Sequence, residues 1–352
     1  MTSSKPIWLL RVLLCLLALP SCAQKIPVHE CDRLAAHPGD NNKVTPGVVW
    51  EQLDPKLALI ACERAVRKYP EVNRFNYQYA RALQKAGNSK KAETLVRSAA
   101  VKGYPQAQCA LGNEHARGEG VPQDYAEAVR WFLKAADQES SCGQFMLGVI
   151  YAEGQGVPQN YAEAERWFSK AAGQGHADAQ FNLGVGYYKG QGVPQDYRKA
   201  VRWFRKAAEL GHAQAQNNLG AMYAEGQGVP QNYAEAERWF SKAAEKGVAD
   251  AQKHLGFLYY KVQQDYRRAV RWFRKAAELG HAQAQNNLGV MYAEGQGVPQ
   301  DNVEAFKWYT LAAENGVATA KQNQRSISER MTTAQIAEAR KLAREWQPKE
   351  TK

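Results

Sequence analysis

The sequence contains no apolar run long enough to cross a bilayer. The longest, Val12 to Leu19, falls well short of the roughly 20 residues a spanning helix needs. It contains no H-E-x-x-H and no G-x-S-x-G, so zinc-protease and nucleophile-elbow chemistry leave no local signature. No cysteine and histidine pair comes with an evident orienting group. The recurring Gly-rich "GQGV" lacks the Lys-Ser/Thr and the preceding strand of a phosphate loop, and its several copies contradict a single cofactor site. Histidine is scarce, at seven residues. Three of these, His176, His212 and His281, follow glycine at one repeated position, which suits a turn role better than metal ligation. No catalytic residue, cofactor or metal is therefore expected, although side chains converging from distant repeats could still do chemistry.

What the chain does contain is repetition. The stretch "YAEGQGVPQNYAEAERWFSKAA" runs from Tyr151 to Ala172 and again, unchanged, from Tyr223 to Ala244. Leu-Gly pairs fall at Leu111, Leu147, Leu183, Leu219, Leu255 and Leu288, in steps of 36, 36, 36, 36 and 33 residues. Trp131, Trp167, Trp203, Trp239, Trp272 and Trp308 keep the same steps. Two columns sharing one irregularity define a repeat array in which each unit touches its neighbours. A longer near-copy starting at Tyr197 and Tyr266 indicates growth by duplication of pairs of units.

Within one unit, Ala213, Ala215, Leu219, Met222 and Tyr223 recur at helical spacings, so the first half is a helix. Gly220 marks where a crossing helix would touch backbone. "EGQGVPQ" then breaks the helix: Gly226 and Gly228 permit positive φ, and Pro230 disfavours helix in the residue before it. Asn232 with Glu235 reads as a capping box opening a second helix, as do Asp124 with Glu127, Asn160 with Glu163 and Asp301 with Glu304. Tyr233, Ala236, Trp239, Phe240 and Ala243 form its apolar stripe, and Gly247 ends it. A lone hairpin would leave these aromatic faces wet, so stacking must bury them, with tryptophan as the mortar.

The amino terminus, "MTSSKPIWLLRVLLCLLALPSCAQ", has the basic start and short apolar core of an export signal. Ser21-Cys22-Ala23 gives a cleavage site and soluble export; the rival reading takes Leu19 to Cys22 as a lipobox and anchors the chain at Cys22. Either places the protein in the periplasm or outside the cell, and nucleic acid is not expected as a partner. Four cysteines then remain: Cys31, Cys62, Cys109 and Cys142. Adjacent pairing, Cys31 with Cys62 and Cys109 with Cys142, is preferred among three connectivities, against an alternative of buried thiols. The net charge is +11, and +9 without the first 23 residues, which carry Lys5 and Arg11 and no acid. Arg130, Arg166, Arg202, Arg238, Arg271 and Lys307 precede each tryptophan; lysines follow it by three in the first five units. Two readings stay open: ordinary helix pairs with acids three residues earlier, or a ladder for an anionic ligand such as an envelope glycan.

The pattern A-x-x-x-L-G-x-x-Y-x-x-G-x-G-V-x-x-D/N-x-x-x-A-x-x-W-F/Y-x-x-A-A-x-x-G resembles the Sel-one-like repeat, a branch of the tetratricopeptide superfamily. The resemblance implies an all-α, right-handed α/α superhelical solenoid of helix-turn-helix units acting as a protein-protein adaptor, often exported in bacteria. It divides the chain into a signal peptide (1–23), a helical cap with a disulfide (24–72) and a degenerate tetratricopeptide-like unit (73–104). Six repeats follow (105–140, 141–176, 177–212, 213–248, 249–281, 282–317), then capping helices (318–346) and a tail (347–352). The fifth unit, "YYKVQQDYRRA", has lost three residues and both turn glycines, so its turn should be tighter. The resemblance also points to a partner groove on the first helix of each unit, two residues before and after the Leu-Gly leucine. That selects Phe145, Phe181, Asn217, Lys253 and Asn286, with Ala221, Phe257 and Val290. Cys109 and Cys142 fall on this face too. Asn217 and Asn286 carry a second reading, as bridges between helices. The expected function is a non-catalytic scaffold binding a protein or peptide in the cell envelope; the enzymatic alternative, suggested by cysteine-rich secreted relatives, is β-lactam or cell-wall binding or hydrolysis.

Overall fold

The computed structural model describes residues 28–38 and 47–349. The export signal, Cys22 and the last three residues of the tail lie outside the described residues. Every regular element among the described residues is helical, and no helix there is long and apolar enough to cross a membrane. The chain forms two compact units, Met1–Glu114 and His115–Lys352.

The first unit holds α1 (Glu30–Ala35), α2 (Pro55–Lys68), α3 (Asn73–Lys85), α4 (Ser89–Val101) and most of α5 (Pro105–Arg117). Cys31 and Cys62, both fully buried, form the expected disulfide between α1 and α2. Cys109 and Cys142 are also disulfide-bonded. Such bonds suit an oxidising compartment. Beside the first of them, the buried Asp32 carboxylate accepts from Arg74 Nε at 2.9 Å, Gln78 Nε2 at 3.1 Å and the His29 backbone N–H at 2.9 Å. Arg81 donates to the carbonyls of Ala35 and Val48 at 2.7 and 2.8 Å, joining these two points of the chain.

The second unit is a stack of helical hairpins. Its first helices are α7 (Ser141–Glu153), α9 (Ala177–Lys189), α11 (Ala213–Glu225), α13 (Ala249–Phe257) and α15 (Ala282–Glu294). Its second helices are α6 (Tyr125–Ala136), α8 (Tyr161–Gly173), α10 (Tyr197–Glu209), α12 (Tyr233–Glu245), α14 (Tyr266–Glu278) and α16 (Asn302–Glu314). The leucines of the Leu-Gly pairs are buried. Their glycines are required by close approach: a Cβ on Gly220 would lie 2.7 Å from the Phe240 ring, and one on Gly184 2.5 Å from Phe204. The residue after each tryptophan is thus the deepest aromatic. Trp239 and Trp308 are buried, while the other four indoles of the column are only half-buried.

Three local devices set the hairpin. Gly226 ends α11 at φ 71°, and Gly228, also at φ 71°, packs against the Tyr197 carbonyl of the preceding unit, where a side chain would clash. Asn232 accepts from the Glu235 backbone N–H at 3.0 Å, but the Glu235 carboxylate turns outward to Arg238 at 3.1 Å, so half of the expected capping box forms. A column of buried glutamines, Gln180, Gln216, Gln252 and Gln285, donates to carbonyls at the ends of the preceding second helices at 3.0–3.3 Å. In the fifth unit the shortened turn is taken up by a π-helical turn at Leu258–Val262, with Gln264 in the left-handed region at φ 52°. The array closes with α17 (Ala318–Ser328) and α18 (Thr333–Glu345), the latter opened by a complete Thr332–Gln335 capping box. Trp346 packs edge-on to Trp308.

Candidate functional site

The face presented by the first helices carries a cleft at each step from one unit to the next. The cleft between α7 and α9 has a volume of about 180 Å³ and is lined by Val149, Asn182 and Val185. That between α9 and α11, about 340 Å³, is lined by Phe181, Val185, Asn218 and Ala221. Between α11 and α13 the volume is about 190 Å³, with Ala221, His254 and Phe257. Between α13 and α15 a pocket of about 60 Å³ is lined by Phe257, Asn287 and Val290. All four reuse the same register: the residue just before the leucine, and the residue two after it. Apolar side chains together with a few polar ones, among them Glu153 and Glu165 in the first cleft, Lys189 in the second and Glu225 and Lys261 in the third, are the composition expected of a recognition groove.

The eight groove residues read from sequence separate into two sets. Ala221, Phe257 and Val290 line clefts, and Phe257 is 39% exposed. The column two before the leucine makes the joints. Phe145 stacks on His176 and Phe181 on His212, with ring centroids 4.5 and 4.4 Å apart, and Phe181 also reaches a cleft. Asn217 and Asn286 are buried and act as helix bridges: Asn217 Oδ1 lies 3.0 Å from His254 Nδ1, and Asn286 Oδ1 accepts from Asn323 at 3.0 Å. Lys253 pairs with Asp250 at 3.1 Å. The column that sequence reasoning missed, Asn182, Asn218, His254 and Asn287, was signalled by the recurrent "NNLG".

His254 is the titratable member of that column. Burial, aided by the neighbouring Lys253 charge, pushes its pKa down to about 4, so at neutral pH the imidazole is neutral and Nδ1–H donates to Asn217. The three glycine-preceded histidines are helix N-caps: Nδ1 of His176, His212 and His281 accepts from the backbone N–H of Ala179, Ala215 and Ala284 at 3.1–3.4 Å. Such a cap needs an unprotonated Nδ1, and burial pushes the His176 pKa down. His212 and His281 turn Nε2 toward Asp178 and Asp250 at the start of the same unit, at 3.3 and 3.1 Å. The hydrogen bond from His212 lowers the Asp178 pKa. Among the described residues no group of three His, Cys, Asp or Glu is placed to hold a metal.

On the second-helix face, Lys134, Lys170, Lys206, Lys242 and Lys275 lie 3.9–4.5 Å from the indole centroids of Trp131, Trp167, Trp203, Trp239 and Trp272. Arg130, Arg166, Arg238 and Lys307 pair with the glutamate three residues earlier at 3.1–3.2 Å. At Arg202 and Arg271 that earlier position holds Lys199 and Arg268.

Six Sel1 repeats match the chain, at residues 105–140, 143–176, 177–212, 213–248, 249–281 and 282–317. The chain belongs to the Sel1 repeat family. A Sel1 repeat protein from Oxalobacter formigenes is 34% identical over 70% of this chain and 98% of its own, with a TM-score of 0.59. A protective antigen from uropathogenic Escherichia coli, also with the Sel1-like fold, is 26% identical over 84% of this chain and 88% of its own, TM-score 0.47. The Helicobacter pylori cysteine-rich protein B is 26% identical over 37% of this chain and 92% of its own, TM-score 0.31. No curated protein matches the sequence. Sel1 repeat proteins are generally protein-interaction scaffolds, and the family is typically non-catalytic.

Proposed function

We propose that this Sel1 repeat protein is a non-catalytic scaffold of the cell envelope that holds a peptide or protein segment along its first-helix face. The observation that carries this reading is the run of four clefts in one register, each lined by apolar side chains and by the Asn or His that precedes the leucine. Helices pack at about 8–10 Å and a polyproline II chain advances about 3.1 Å per residue with about three residues per turn, so a ligand in that conformation would place a side chain in successive clefts about every third residue. The disulfides support an oxidising compartment, and the leader-like start of the sequence supports export to the periplasm or beyond, either soluble or anchored at Cys22.

A photo-crosslinking residue tests the site. Placed at Ala221 or Val290 in cells it should capture a discrete partner, whereas at Arg130 it should not. Capture equal at all three positions would remove the groove. The protein should also leave β-lactams and peptidoglycan fragments intact; turnover that a single substitution abolishes would overturn the non-catalytic reading.

A further inference from the structure

The positive charge of the array is not spread along the repeat. Helix α10 carries Arg198, Lys199, Arg202, Arg205 and Lys206 against Glu209 alone. Helix α14 carries Arg267, Arg268, Arg271, Arg274 and Lys275 against Glu278 alone. These two 13-residue helices supply +8 of the chain's +11. Helices α8 and α12 carry Glu163 and Glu235 where α10 and α14 have Lys199 and Arg268, and these glutamates pair with Arg166 and Arg238.

Several of these cations are already used. Arg205 and Arg274 donate to the hydroxyls of Tyr223 and Tyr292 at 2.6 and 2.8 Å, Arg268 pairs with Asp265, and Glu278 is taken by Lys349. Arg198 with Arg202, and Arg267 with Arg271, sit one turn apart on their helices, and all four are exposed. On α12 between them, Arg238 matches Arg202 and Arg271 but is paired with Glu235, and Ala234 stands where the two outer helices have Arg198 and Arg267. With helix spacing of about 10 Å per step, the guanidinium pairs stand roughly 20 Å apart. Half-buried Trp203 and Trp272 follow Arg202 and Arg271 in sequence, and their indoles are covered by Lys206 and Lys275, 4.4 Å from the ring centroids.

We propose that this second-helix surface binds an acidic polysaccharide, independently of the groove. The guanidinium forks match carboxylate or phosphate substituents in bidentate fashion, and Lys206 and Lys275, held over the Trp203 and Trp272 indoles, add further cations on the same helices. A polymer is required because the two arginine pairs are too far apart for one small anion to bridge. The disulfides favour a compartment in which glycans are the available polyanions.

The test compares two variants of equal charge. The first changes Arg198, Arg202, Arg267 and Arg271 to Gln; the second changes Arg97, Arg130, Arg166 and Lys307, each paired with a glutamate, to Gln. Probes are a polyuronate, a neutral glucan, phosphatidylglycerol vesicles and single-stranded DNA, titrated calorimetrically at two salt concentrations, with thermal melts checking the fold. The proposal requires polyuronate binding that weakens with salt, falls at least tenfold in the first variant and changes less than twofold in the second. Equal loss in both variants would mean net charge alone, and binding unaffected by the first variant would remove the site. Vesicles or DNA bound in preference to polyuronate would overturn the ligand class.

Discussion

Gly184 and Gly220 show how narrow the tolerance is at a single residue. A methyl on Gly184 meets the Phe204 ring at 2.5 Å, and overpacking of this kind costs about 1–3 kcal/mol. Gly184→Ala should therefore lower the melting temperature measurably, while Gly173→Ala, where an added Cβ meets nothing within 4 Å, should be neutral or stabilising in the same scan. Arg74 is a second such residue. Arg74→Met would remove a charged donor from the buried Asp32 carboxylate, which keeps the bonds from Gln78 and His29, and denaturant titration should show a loss of about 1.5–3 kcal/mol. His254 adds a pH dependence of known sign. Its pKa falls from 6.5 to about 4 on folding, so the unfolded chain binds the proton more readily. Its contribution is complete above about pH 6.5 and is lost progressively toward pH 4. Between pH 7 and pH 5 the loss is about 2 kcal/mol. His254→Asn, which restores the asparagine present at the equivalent positions 182, 218 and 287, should flatten the melting profile over that range; an unchanged slope would place the titration elsewhere.

At the level of the helix and hairpin, much could be read in advance, and for a definite reason. A 36-residue period repeats every helix start, turn and stop, so Asn232, Gly226 and the Leu-Gly pair announce themselves several times over. The Cys31–Cys62 bond is the adjacent pairing preferred among the three that four cysteines allow. Legibility ended where one residue of shift along a helix decides its direction. Tryptophan looked like the mortar because it is large and periodic, yet the Phe beside it is the ring that presses on glycine. Asn217 and Asn218 are neighbours of one type; the first is turned into the joint with the next unit and the second lines a cleft, which depends on stacking angles that spacing does not encode. The buried glutamines passed unnoticed because glutamine is usually a surface residue, and here each serves a helix-end carbonyl. At the element scale the prediction concerns α1 and α2: reducing Cys31–Cys62 should destabilise the first unit by about 2–5 kcal/mol, seen as a lower melting transition in reductant.

Across the whole molecule, the second unit offers two surfaces of different chemistry. The first helices carry apolar clefts in register, and the second helices carry aromatic and cationic columns whose charge is concentrated in α10 and α14. A repeat array can vary the outer residues of either surface while keeping its core of leucine, glycine and phenylalanine, although Phe168, Phe204, Phe240 and Phe273 also line the clefts. The most direct test of the central claim is selection of random peptides on the protein, repeated on a variant with Val185→Glu and Phe257→Glu. The account predicts enriched peptides with apolar side chains at about every third residue, bound at least tenfold more weakly by the variant. Failure to enrich any sequence, or equal binding by the variant, would contradict it.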